Sequence, residues 1–146
     1  MEKRLSLEAK IENLDEVTGF IEAALEVAGC AMKQIMQINL AVEEIFVNIA
    51  HYAYGKLDAS GNIIPDSGTG PADIILDADN SKIVLTFIDE GIEYDPLKKE
   101  DPDITLSAQE REIGGLGIFM VKKIMDEVSY SRKDGKNILK LTKNIS

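Results

Sequence analysis

The N-terminal part of the chain shows two patterns of apolar residues, one after the other. Within residues 3–10 every second residue is apolar, and this alternation predicts a half-buried strand. After that, apolar residues recur at intervals of three and four, which predicts a helix that begins at Asn13 or Asp15 and ends at Gly29. The same spacing recurs over residues 33–54 and predicts a second helix.

Glycine and proline mark the segments around the next strands. Residues 55–71 contain four glycines and two prolines, so we interpret them as a variable loop or a loose hairpin excursion. Residues 72–79 and 82–89 are predicted strands, joined by a turn at Asp79 and Asn80. No hydrophobic period is sustained over residues 92–113, and a loop of that length is usually functional or disordered.

The chain closes with a helix and a hairpin. The helix is predicted to start near Leu116, and strands at residues 128–132 and 137–142 flank the turn signal Asp134-Gly135. Tight turns between neighbouring strands predict a mixed, mostly antiparallel sheet. With the helices on one face, this is a two-layer α/β sandwich of the α+β class, built from a single domain that spans residues 1–146.

Composition narrows the class of protein. The 146 residues are 45% hydrophobic, which is enough for a core, and no apolar run approaches the roughly 20 residues that cross a bilayer. A single cysteine, Cys30, and a start unlike a secretion signal favour a cytoplasmic protein with no membrane partner. A net charge of −10 disfavours direct binding of nucleic acid, whose phosphate backbone demands positive charge.

The charge is unevenly distributed along the chain. Residues 1–121 hold 9 basic and 23 acidic side chains, whereas residues 122–146 hold 7 basic and 3 acidic side chains. We interpret the basic end as a solvated edge of the fold, with a surface for an acidic protein partner as the alternative.

Glu44 and Asn48 form the first motif that could carry chemistry. They are four residues apart on the second predicted helix, so both project from the same face, and Tyr52 continues that line. An amide oxygen can coordinate Mg²⁺, and a carboxylate can polarise a water molecule or a hydroxyl group. The alternative is an ordinary exposed helix edge, because the E-x-x-x-N spacing is common.

A second motif stands where a strongly apolar strand ends. An aspartate there, Asp89, can accept a hydrogen bond from an exocyclic amine such as that of adenine. Gly91 permits close approach of the backbone to a ligand. The alternative is a plain turn that ends the strand.

A third motif opens the last helix with Gly114, Gly115, Leu116 and Gly117. Glycines before a helix expose backbone N–H groups, and the helix dipole adds partial positive charge, so this segment can hold a phosphate without any basic side chain. The alternative is a junction between loop and helix that needed backbone freedom.

The order of the three motifs resembles the GHKL (Bergerat-fold) ATP-binding superfamily. Within it, the chain is most similar to the small anti-sigma-factor serine/threonine-protein kinases, which consist of a histidine kinase-like ATPase domain. The matching segments are LAVEEIFVNIAHYAY at residues 40–54, FIDEGIEYDPL at residues 87–97 and GGLGIFMVKKIMDEVSYSRKDGKNILKLTK at residues 114–143. The resemblance covers nearly the whole chain.

The resemblance implies ATP and Mg²⁺ as cofactors and a role for each motif. Glu44 is the catalytic base that activates a hydroxyl group or water, Asn48 is the magnesium ligand, and Asp89 recognises adenine with Gly91 beside it. The other implied cofactor-binding residues are Tyr52, Gly114, Gly115, Leu116 and Gly117. Residues 92–113 are the implied ATP lid, and Arg111 within it is the candidate partner of the terminal phosphate.

The implied function is an ATP-dependent protein serine/threonine kinase of anti-sigma-factor type, which regulates transcription by partner switching. Its partners are then a sigma factor or another regulator, and a small antagonist protein that is the phosphorylation substrate. A homodimer is a further option. Two alternatives stay open: a non-catalytic, ATP-dependent protein-binding regulator, and a GHKL ATPase.

Overall fold

The computed structural model describes residues 1–98 and 115–145. Three helices and seven strands lie in the described part of the chain, with short 3₁₀ turns at Ile11–Asn13 and Pro96–Lys98. In chain order they are β1 (Glu2–Glu8), α1 (Leu14–Val27), α2 (Met32–Asn48), β2 (Lys56–Leu57), β3 (Ile63–Ile64), β4 (Pro71–Ala78), β5 (Lys82–Asp89), α3 (Gly115–Ile124), β6 (Glu127–Lys133) and β7 (Lys136–Asn144). None of the helices described is both long and apolar enough to cross a membrane.

Five strands form one sheet in the order β1-β4-β5-β7-β6. Each of the four neighbouring pairs is antiparallel, with Leu85 of β5, for example, opposite Leu76 on one side and Leu141 on the other. The predicted α+β class and the mostly antiparallel sheet are confirmed. Because β5 lies in the middle of this sheet, the segment that follows Asp89 leaves from its centre.

The core lies between the helices and one face of the sheet. In β4 and β5 every second residue is buried, as expected where alternate side chains point to opposite faces of a sheet. The largest fully buried side chains come from both layers: Phe46, Phe87, Ile21, Leu25, Ile38, Ile74 and Leu76. Helix α2 contributes six buried residues to this core: Ile35, Ile38, Ala41, Val42, Ile45 and Phe46.

The second helix ends differently from the prediction. A continuous helix was expected over residues 33–54, but α2 ends at Asn48, and Ile49–Ala53 form a single π-helical turn. Such a turn is wider than an α-helical turn and is frequent at functional sites. One isolated turn is too short to alter a hydrophobic period, which is why the sequence pattern missed it.

The segment after this turn contains a short hairpin of β2 and β3. It is tied to the π turn, because the backbone N–H of Asp66 donates to the carbonyl oxygen of His51 at 2.9 Å, and His51 Nδ1 contacts the Asp66 carboxylate. The single histidine therefore holds the hairpin beside the end of α2.

Candidate functional site

A cavity of about 510 Å³ opens where the end of α2, the π turn, the central strands and α3 meet. Three of the predicted residues, Asn48, Tyr52 and Asp89, line it together. Most of its wall is apolar, with a few polar groups that converge on the same space, which is typical of a small-molecule site of this volume. The structure thus brings the E-x-x-x-N helix and the D-x-G turn to one place.

Asp89 is the buried carboxylate of this cavity, with 6% of its surface exposed. Its Oδ1 accepts two hydrogen bonds, from the backbone N–H of Gly91 and from Nδ2 of Asn137, both at 2.9 Å. No residue within 1–98 or 115–145 donates to its Oδ2. Burial raises the pKa of the Asp89 carboxyl above the ordinary 3.8, although both hydrogen bonds act in the opposite direction.

Asn137 is a site residue that the sequence analysis missed. It is buried at 6% exposure, and its Nδ2 also donates to the carbonyl oxygen of Ile92 at 2.8 Å. Its Oδ1 accepts from the Tyr130 hydroxyl at 2.6 Å and from Arg132 Nη1 at 3.1 Å. Because the amide is engaged on both sides, its orientation is fixed, and with it the donor presented to Asp89.

A signal for Asn137 was available in the sequence. The strand pattern N-I-L-K-L places Asn137 on the same face as Leu139 and Leu141, which are buried. A polar residue at an inward position is costly unless it is hydrogen-bonded, and for that reason such a residue indicates a site.

The D-x-G turn is fastened to the π turn. The backbone N–H of Ile92 donates to the carbonyl oxygen of Ala53 in the π turn at 2.9 Å. From strand β6, Arg132 Nη1 donates to the carbonyl oxygen of Gly91 at 2.8 Å. A Cβ atom on Gly91 would lie only 2.2 Å from the oxygen of Ala53. The close approach at Gly91 is therefore to the chain's own backbone, and a role of this glycine toward a ligand stays a prediction.

We expect Gly91→Ala to lower the free energy of unfolding by about 1–3 kcal/mol, because the added methyl group has no space beside Ala53. Urea unfolding followed by circular dichroism measures the change. Gly19→Ala in α1 is the matched control: apart from the chain neighbours and the backbone of its own helix, nothing lies within 4 Å of a Cβ added there, and the same substitution should raise stability by up to about 1 kcal/mol. Equal effects of the two substitutions would contradict the packing argument.

Tyr54 supports the same turn from the other side, and the sequence analysis did not assign it a role. Its hydroxyl accepts a hydrogen bond from the backbone N–H of Glu90 at 2.7 Å and donates to the carbonyl oxygen of Pro71. Burial raises the pKa of Tyr54 to about 12. The phenol thus stays protonated at neutral pH and can keep both hydrogen bonds.

Glu44 meets the glycine motif rather than the cavity wall. A Cβ atom on Gly117 would lie 2.3 Å from Oε2 of Glu44, so the carboxylate rests directly against the first turn of α3. Gly115 is the first residue of that helix. Arg111, Gly114 and the greater part of the predicted lid, together with the side chain of Leu116, lie outside the described residues.

The side-chain amide of Asn48 is a suitable ligand for the predicted Mg²⁺. Its side-chain amide lines the cavity and makes no hydrogen bond with residues 1–98 or 115–145, so its oxygen is available to a ligand. Those same ranges contain no group of three or more histidine, cysteine, aspartate or glutamate side chains that could hold a metal. An amide oxygen is a ligand that Mg²⁺ accepts, and proteins hold Mg²⁺ beside nucleotides through few protein oxygens together with the phosphates.

Some basic residues of the C-terminal segment hold the fold through hydrogen bonds, and others are exposed. Arg132 holds the D-x-G turn, and Lys143 Nζ donates to the carbonyl oxygen of Ile124 at 2.8 Å. Others are exposed, as expected of a solvated edge: Lys133, Lys136 and Lys140.

Comparison with known proteins adds independent evidence. The family model of the histidine kinase-like ATPase domain matches residues 7–143. The serine-protein kinase RsbW of Staphylococcus epidermidis is 25% identical over 146 aligned residues, which cover 94% of this chain and 82% of RsbW. The serine/threonine-protein kinase BtrW of Bordetella bronchiseptica is 34% identical over 61 residues, which cover 42% of this chain and 43% of BtrW.

A solved structure shares the fold. The structure of the RsbU and RsbW domains of Rv1364c from Mycobacterium tuberculosis aligns with a TM-score of 0.64 at 16% sequence identity. The alignment covers 98% of this chain and 32% of the mycobacterial chain, so this chain corresponds to about a third of that protein.

Proposed function

The chain belongs to the family of histidine kinase-like ATPase domains, and we propose that it is an ATP-dependent serine/threonine kinase for a protein substrate. The observation that supports the proposal most is the convergence of Asn48 and Asp89 on one cavity, while Glu44 rests against Gly117 beside it. These positions match the three chemical tasks of such an enzyme: recognising the base, holding the phosphates and activating the acceptor.

Adenine recognition is assigned to Asp89. Its Oδ2 has no donor among the described residues, so it can accept a hydrogen bond from the exocyclic amine of adenine. The apolar cavity wall suits the faces of a planar base. A base with a carbonyl oxygen at that position would place two acceptors against each other.

The phosphates are assigned to Asn48 and to the start of α3. Asn48 would hold Mg²⁺ through its amide oxygen, and when bound the ion would neutralise charge on the phosphates. The backbone N–H groups at Gly115 and Gly117 lie at a helix N-terminus, where anions are favoured. An acidic chain can therefore bind a triphosphate, because these contacts do not depend on its net charge.

Phosphate transfer is assigned to Glu44. A seryl or threonyl hydroxyl of the substrate attacks the terminal phosphorus, its proton passes to the Glu44 carboxylate, and ADP is the leaving group. We propose Arg111, in the lid of residues 92–113, as the cation that pairs with the terminal phosphate.

The biological role we propose is regulation of transcription in the cytoplasm by partner switching. The chain would bind a sigma factor or another regulator and phosphorylate a small antagonist protein, which changes the partner that is held. The names of RsbW and BtrW, both protein kinases, support the kinase assignment.

The magnesium dependence of ATP binding tests this proposal. Calorimetric titration of the wild type with ATP should show affinity at least about tenfold higher with Mg²⁺ than with EDTA, and Asn48→Ala should remove most of that difference. Asn80→Ala, in the exposed turn between β4 and β5, is the control and should behave like the wild type. A magnesium effect that survives Asn48→Ala unchanged would count against the assigned site.

A further inference from the structure

Helix α2 carries a second apolar stripe on the side away from the core. Met32, Met36 and Leu40 follow one another at intervals of four residues, so their side chains lie in line along the helix. They are 60%, 67% and 43% exposed, respectively. Single exposed apolar side chains are ordinary, but three in line on one helix form a patch, and such patches mark interaction sites.

The stripe is one wall of a groove between α1 and α2. The groove has a volume of about 260 Å³, with the buried Ile35 beneath the stripe and with Glu22 of α1 and Glu43 of α2 beside it. None of the described residues that line this groove also lines the larger cavity. The groove is therefore a separate site from the cavity that Asn48 lines.

We propose that this groove binds an amphipathic helix of a partner protein, with apolar residues on one face and lysine or arginine residues at its borders. Methionine side chains are flexible and polarisable, and they are favoured on surfaces that receive the apolar face of a helix. The two carboxylates, Glu22 and Glu43, would face the basic residues at the borders of that helix. The proposal rests on the proposed function, which requires a protein partner in addition to ATP.

A second copy of the chain fits the groove less well than a basic partner does. A two-fold interface sets the same patch of both subunits against itself. Glu22 and Glu43 of one copy would then share the interface with the same two carboxylates of the other, and like charges across an interface are repulsive. The charge of the groove therefore favours a different, basic protein.

The groove is also joined to the proposed catalytic residues through α2. Glu43, on its border, is the chain neighbour of Glu44. A partner helix in the groove would accordingly lie along the helix that carries Glu44 and Asn48.

Methionine methyl signals offer a direct test. The chain has five methionines, so a sample labelled with ¹³C at the methionine methyl groups gives few signals. The probe is a synthetic helical peptide of about five turns, or about 18 residues, with leucines at helical spacing and lysines elsewhere. We expect the signals of Met32 and Met36 to shift on titration while that of Met125, which is 4% exposed in the core, stays in place.

Two pairs of variants separate the apolar and the charged contributions. Met36→Glu should weaken peptide binding by at least about tenfold, whereas Leu57→Glu, at another exposed apolar position in the β2–β3 hairpin, should not. The double change Glu22→Lys and Glu43→Lys should reverse the preference, so that a peptide with glutamates in place of lysines binds better. The double change Glu2→Lys and Glu127→Lys alters the net charge equally and should keep the preference for lysine.

Three results would overturn the proposal: no shift at Met32 or Met36, equal binding of the lysine and glutamate peptides, or undiminished binding by Met36→Glu. A concentration-dependent dimer that Met36→Glu dissociates would also overturn it, in favour of a second copy in the groove. ATP titration of the same variants keeps the two proposals apart. If the wild type does not bind ATP, the proposed function is contradicted. If the wild type binds ATP but does not bind the peptide, only the proposed role of the groove is contradicted.

Discussion

Glu44→Gln is expected to slow phosphate transfer to a protein hydroxyl by about a hundredfold or more, because a positioned base typically contributes that much. Glutamine keeps the shape of the side chain that rests against Gly117, but it cannot take up the hydroxyl proton. ATP affinity should stay within about threefold of the wild type, because Glu44 is not among the residues that line the cavity.

Initial rates of transfer from γ-labelled ATP to a candidate antagonist protein measure the effect. Glu127→Gln, on the outer strand β6 at an exposed position, makes the same chemical change away from the site and should leave the rate unaltered. Equal transfer by Glu44→Gln and the wild type would remove Glu44 from its proposed role. Phosphate release without labelling of any protein would favour the ATPase alternative.

The element order and the two-layer sandwich could be predicted because both follow from the spacing of apolar residues within each element. The alternation in β4 and β5 and the three-to-four spacing in α1 appear in the structure as buried and exposed faces. The α-to-π change after Asn48 could not be predicted, because a single turn is too short to alter a hydrophobic period. The contacts beside this turn, from Ile92 to Ala53 and from Asp66 to His51, join residues that are distant in the sequence.

The candidate site divides in the same way. Glu44, Asn48, Asp89 and Gly117 belong to motifs with short, recognisable spacings, and the structure brings them near one another. The residues that hold these motifs in place come from distant strands and turns, and no local spacing links them to Asp89: Tyr54, Tyr130, Arg132 and Asn137. Among these four residues only Asn137 could have been recognised from the sequence, because it is a polar residue at an inward-facing strand position.

Asp89→Asn is expected to lower ATP affinity by about a hundredfold or more and to change which base is preferred. Oδ1 of Asp89 receives donors from Gly91 and Asn137, so the amide of an asparagine at this position must keep its oxygen there. Its NH₂ group then takes the place of Oδ2, toward the base. A donor meets the exocyclic amine of adenine, which is itself a donor, and an unmatched polar pair in a buried site is costly.

Inosine triphosphate makes this prediction specific, because it carries a carbonyl oxygen where ATP carries the amine. The wild type should prefer ATP strongly, and Asp89→Asn should bring the ratio of the two affinities to about one or invert it. Calorimetric titration with both nucleotides in the presence of Mg²⁺ measures the ratio. Asp77→Asn, at an exposed position of β4, should keep the preference of the wild type. The contrary result is that Asp89→Asn lowers the affinity for both nucleotides equally. A general loosening of the cavity has this effect, because it does not distinguish an amine from a carbonyl group. In that case the carboxylate would support the fold of the site without recognising the base.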